Sequence, residues 1–211
     1  MAQAILHTRP GTAWPGLTTT NRIHLKGKEM QNKITVTIEG LSPLLMNRFP
    51  TESIHQTVRP TPEEQAERAA YRDPVSGELY LPAIALRQAM IEGAALLDVK
   101  SLVNAKSTRH LQDTVAGMLM IEPERLLLGI KDFVLDSRRV VRSHKAGALI
   151  RHRPRLDHWQ AKFAIRCDGI APDLLKDIVD NAGSLVGVLD FRPARKGPFG
   201  RFQVVEWRTE G

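Results

Sequence analysis

The chain has 211 residues, 42% apolar and 25% charged, a balance that supports a folded core and excludes a wholly disordered chain. Its single cysteine, Cys167, excludes an intrachain disulfide and a cysteine zinc cage, and no apolar run approaches the ~20 residues that span a bilayer. With 30 Lys+Arg against 23 Asp+Glu the formal charge is +7, which points to a polyanionic partner, and a reducing cytoplasm fits the cysteine usage.

Residues 1–32 precede any persistent periodicity. Their Gly, Pro and Thr content reads as a flexible arm, basic through Arg9, Arg22, Lys26 and Lys28. The globular unit is expected over 33–211. Lys33–Gly40 alternates: Ile34, Val36 and Ile38 face one side, and Thr35, Thr37 and Glu39 the other, as a half-buried strand does. Gly40-Leu41-Ser42-Pro43 breaks it, and a short apolar stretch ends in Asn47-Arg48. Residues 50–77, with prolines at 50, 60, 62 and 74, read as an inserted excursion holding a short helix from Pro62. Glu78–Leu81 reads as a short strand.

Pro82 opens a helix over Ala83–Leu97, and a second helix is expected over Arg109–Met120 with Thr108 as its cap. Leu126–Leu135 and Arg138–Ser143 look extended. His158–Asp168 alternates again, with Trp159, Ala161, Phe163, Ile165 and Cys167 on one face. Pro172 and Asp173 start a helix that Gly183 is placed to end. Phe202–Trp207 is the last strand. Stripped of insertions at about 50–77 and 138–155, the order is βαββαβ. That predicts an α+β fold of the ferredoxin-like or RRM kind: four antiparallel strands, two helices on one face, and an open face free to bind.

Two segments carry the chemistry. Between 138 and 155 lie Arg138, Arg139, Arg142, Lys145, Arg151, Arg153 and Arg155, with His144 among them and no acid. Those seven charges equal the net charge of the whole chain. Arg151, Arg153 and Arg155 alternate, so on a strand they share one face and can track phosphates. The plainer reading is a solvated basic face. The second segment, Val186–Phe202, holds Gly187, Gly197 and Gly200 together with Arg192, Arg195, Lys196 and Arg201. Its glycines permit close backbone approach to a ligand. Phe191 and Phe199 either stack on bases or are buried. It is neither a Walker loop nor a dinucleotide fingerprint. No HExxH, paired-Cys motif or carboxylate cluster calls for a metal, and no cofactor is expected. His144, His152 and His158 admit metal-independent RNA cleavage, but binding is the preferred reading over catalysis.

Three stretches resemble the RAMP superfamily of CRISPR-associated proteins, in particular the repeated backbone subunit of type I and type III effector complexes. They are Thr35–Arg48 as opening strand and loop, Leu81–Met90 as the Pro-led first helix, and Gly187–Val204 as glycine-rich loop and last strand. Ala83 and Ala89 stand where the family pattern has glycine, and a phage-borne relative outside a CRISPR locus fits that departure. The resemblance implies copies stacked along a single-stranded guide RNA. It assigns RNA contact to Asn47, Arg48, Arg138, Arg139, Arg142, His144, Lys145, Arg151, Arg153, Arg155, Arg192, Arg195, Lys196, Phe199 and Arg201. The alternatives are an endoribonuclease of the same superfamily and a phage single-stranded DNA-binding protein.

Overall fold

The period-2 pattern of the first strand is realised residue for residue. In the computed structural model, which describes residues 33–49, 60–97, 108–143, 147–167 and 170–210, β1 spans Lys33–Gly40 with Ile34, Val36 and Ile38 buried. β2 (Leu44–Leu45) follows, then α1 (Pro62–Ala69), β3 (Tyr80–Pro82), α2 (Ala83–Ala95) and α3 (Thr108–Met118). β4 (Met120–Glu122) and β5 (Arg125–Leu127) lead to the long hairpin of β6 (Val134–Ser143) and β7 (Gly147–Leu156). β8 (Gln160–Arg166), α4 (Pro172–Asn181) and β9 (Phe202–Glu210) complete the chain order. The expected arm over 1–32, most of the excursion from Pro50, and the hairpin tip at His144 and Lys145 lie outside the described residues.

The fold is mixed α+β with antiparallel sheets. The main sheet has the order β4-β8-β1-β9. Its inward face joins the buried residues of α2 and α4 in one core, including Leu86 and Met90 with Leu175, Ile178 and Val179. A β-carbon on Gly93 would sit 2.9 Å from the backbone of Ile178 and Ala182, so glycine is what lets α2 reach α4. β2, β7 and β6 form a second, three-stranded sheet, and β3 pairs with β5.

Local chemistry explains most boundaries. Thr61 Oγ1 accepts from Glu64 N while Glu64 Oε2 accepts from Thr61 N, a capping box that starts α1 with Pro62 at its first position. β8 begins two residues later than the His158 expected, yet Trp159, Ala161, Phe163, Ile165 and Cys167 are all buried, as the alternation requires. The extended segment expected over Leu126–Leu135 is split between β5 and β6.

Gly183 does not end a helix. The chain continues from α4 into a π-helical turn over Ala182–Val186. Gly183 is required there because a β-carbon would lie 2.2 Å from the Phe202 carbonyl oxygen. β9 carries a bulge opposite Thr37 and Ile38. Ile38 faces Val204 but Thr37 faces Glu206, so one residue is skipped and Trp207, rather than Glu206, pairs with the core residue Val36.

Candidate nucleic-acid interface

The two basic segments, 37 residues apart at their closest link, meet in space. β7 pairs with β2, the strand that follows the β1 loop, through Leu44–Leu156 and Leu45–Arg155. The glycine-rich loop lies along the same strand: Asp190 N donates to Leu45 O at 3.1 Å, and Gly200 N to Pro43 O at 2.9 Å. Side chains tie the loop to the hairpin. Arg153 donates from Nη1 to Asp190 Oδ2, and the Arg138 guanidinium lies 4.6 Å over the Phe199 ring. Phe191 and Phe199 pack with ring centroids 6.0 Å apart.

The loop's glycines serve this folding rather than approach to a ligand. A β-carbon on Gly197 would lie 1.7 Å from Phe191 O, and one on Gly200 2.0 Å from Val188 O. Gly187 and Gly200 also have positive φ. Leu189, Phe191 and Lys196 hold positive φ without being glycine, so strained backbone concentrates in one eight-residue stretch. Asp190 Oδ1 accepts from Phe191 N at 2.9 Å and steadies that turn.

Three of the hairpin's charges, Arg138, Arg153 and Arg155, are compensated by acids from outside the segment. Asp136, 5% exposed, accepts Arg138 Nε on both oxygens at 2.8 and 2.9 Å, and Arg155 Nη1 is 3.8 Å away. Arg155 also pairs with Asp157. Arg153 is 6% exposed and paired with Asp190, with its Nε left without a partner. Arg192 bonds Glu92 on α2 at 3.1 Å. Four of the expected contact residues thus brace the scaffold. Phe199 is a further correction: it is buried and Arg138 covers its ring, so it offers no stacking surface. Phe191 is exposed.

Arg48, Arg68 and Arg151 come together in a groove between α1 and β7, with the ion-paired Arg153 in its wall. About 290 Å³ in volume, it is lined by Asn47, Arg48, Gln65, Arg68, Arg151, His152 and Arg153 among others. No carboxylate occurs among the described residues that line it. Sequence reasoning missed Gln65 and Arg68. They precede β7 by about eighty residues, and only the packing of α1 on β7 brings them in. Their spacing of three along the helix was the available signal. Arg139 is exposed on the opposite face of the hairpin from Arg138, and Arg195, Lys196 and Arg201 are exposed without lining the groove. The side chain of Arg142 lies outside the described residues.

The outward face of the main sheet is a poor alternative. Thr37 Oγ1 donates to Glu206 at 2.9 Å, Arg166 pairs with Glu122, and Arg208 pairs with Glu206. The hydroxyl bond from Thr37, aided by Arg208 and Lys162, holds the Glu206 carboxyl below its ordinary range. The outward positions of β1 and β8 are Thr35, Thr37, Glu39, Gln160, Lys162, Ala164 and Arg166, none aromatic, so that face has no stacking platform there. Ser137 Oγ and His152 Nδ1 are 2.7 Å apart. No group of three metal-ligating side chains occurs among the described residues, and none of the described helices is long and apolar enough to cross a membrane.

No protein-family model and no curated protein matches this chain. Among solved structures it is similar to a chain of the cryo-EM structure of the Type III-B Cmr-beta bound to cognate target RNA. The identity is 13% and the TM-score 0.52, over 84% of this chain and 60% of that one. At that identity the likeness is one of fold. The match spans 60% of its neighbour's length, less than two thirds.

Proposed function

We propose that this protein is a single-stranded RNA-binding subunit of a multi-subunit ribonucleoprotein, a relative of the RAMP backbone subunits. The observation that carries the reading is the groove between α1 and β7, where Arg48, Arg68 and Arg151 converge with Asn47 and His152 and no carboxylate occurs among the described lining residues. A strand laid there meets guanidinium groups matched to phosphate oxygens, so the groove itself grips the backbone whatever the base. Two further observations support it. The main sheet order β4-β8-β1-β9, with α2 between β1 and β4 and α4 between β8 and β9 along the chain, is what supports reading it as a ferredoxin-like unit. The structural neighbour is part of an assembly bound to target RNA. Copies of this chain would stack along the RNA, with the β6–β7 hairpin reaching the next copy.

The test is the state of the purified protein: absorbance at 260 and 280 nm and size in solution, before and after RNase or DNase. A large particle that shrinks on RNase supports the reading. A nucleic-acid-free 23.6 kDa monomer that leaves RNA oligonucleotides unbound overturns it. A particle that shrinks only on DNase moves the assignment to single-stranded DNA.

A further inference from the structure

Beside the cationic groove lies a second cleft of different chemistry, and Asn47 lines both. This cleft, of about 270 Å³, sits between α2 and the strained loop and is bounded by Asn47, Tyr71, Gln88, Leu189, Asp190 and Arg192. Its two charged residues are already engaged. Arg192 is held by Glu92 and by Leu189 O, with only its buried Nε left without a partner, and Asp190 is held by Arg153 and Phe191 N. What stays open is neutral and polar. The Asn47 amide and the Tyr71 hydroxyl have no hydrogen-bond partner among the described residues, and the Gln88 amide makes one 3.3 Å bond, from Nε2 to Glu92. Burial raises the Tyr71 hydroxyl above its ordinary range, so it stays protonated and can donate at neutral pH.

We propose that this cleft receives one nucleobase, preferentially adenine, from the strand whose phosphates occupy the groove. The inference rests on the RNA-binding reading and adds a base-dependent contact to it. The volume falls just below the range of ordinary small-molecule sites, which suits a single base. The side chains select the base. Guanine is ordinarily read by a free Arg or Lys and cytosine by a free carboxylate, and here Arg192 and Asp190 are both spent. Asn and Gln amides match the donor and acceptor pair on the adenine edge. Leu189 supplies an apolar wall. Because Asn47 reaches both cavities, a base and its own phosphate can be held at once.

The experiment compares the full-length protein binding equal-length oligouridine RNAs that carry, at one central position, adenosine, cytidine or an abasic ribose. Adenosine should tighten binding about tenfold over the abasic strand, the gain expected of one good edge contact. Tyr71→Phe and Gln88→Leu, both outside the cationic groove, should each shrink that ratio while leaving the abasic affinity in place. Equal affinity for all three strands overturns the pocket and leaves the RNA-binding reading standing. A ratio that survives both substitutions also overturns the pocket. Failure to bind any of the strands overturns the proposed function and the pocket with it.

Discussion

The joint between hairpin and loop can be broken at one atom pair. Arg153 has 7% of its side chain exposed and Asp190 29%. Removing Asp190 strands a desolvated guanidinium whose Nε already lacks a partner. Orphaning a buried charge costs about 3–5 kcal/mol. Water reaches the Asp190 side of this pair, so the low end applies, about 3 kcal/mol. With a urea m-value of about 2 kcal/mol/M, Asp190→Ala should lower the unfolding midpoint by roughly 1.5 M. Arg153→Met should cost less, about 1 kcal/mol, because the half-wet carboxylate left behind can be hydrated. The double variant should be more stable than Asp190→Ala alone, since it no longer holds an unpaired buried charge. Urea melts followed by circular dichroism read all three. A midpoint shift below about 0.3 M for Asp190→Ala, or strictly additive losses in the double variant, would refute the claim that this pair joins the two segments.

Other expectations follow from the same geometry. Arg48→Gln and Arg151→Gln should each reduce the slope of log affinity against log salt by about 0.7 for a single-stranded RNA, with uniform loss across sequences; an unchanged slope places those residues off the strand. Gly197→Ala drives a β-carbon into Phe191 O and should destabilise by about 2–3 kcal/mol, whereas Gly117→Ala, with open space around it in α3, should gain about 0.5 kcal/mol; equal melting temperatures would contradict the packing. Asp73 accepts from Ser76 N first and then from Arg125, with Ser76 Oγ and Val75 N adding to them, and its carboxyl falls from 3.8 to about 2. The folded state therefore favours the charged form. That stabilisation is complete above about pH 4 and lost as pH falls through about 2. Asp73→Asn should flatten the acid limb of stability over that window, and an identical limb in the variant would remove Asp73 from the account.

Much of this protein was legible from adjacent residues. β1 and β8 each carry a strict apolar alternation, and a half-buried strand needs nothing more to declare its inward face. Pro62, Pro82 and Pro172 lie at or beside helix starts because a residue without an N–H costs nothing there. The acid-free run of 138–155 and the glycine-rich loop were also visible, as was Asn47-Arg48.

Which of those charges remain available was decided only by tertiary structure. Asp190 reaches Arg153 because β2 draws the hairpin and the loop to one edge, and Glu92 reaches Arg192 from α2, pairings no local window contains. Arg68 enters the groove by the docking of a helix that precedes β7 by about eighty residues. The β9 bulge and the π-helical turn at Gly183 likewise answer to contacts made by distant backbone. Periodicity is a property of neighbouring residues and can be read along the chain. Charge compensation and close backbone approach depend on what long-range folding brings alongside, and for this protein they separate the arginines that brace the fold from those that face the groove.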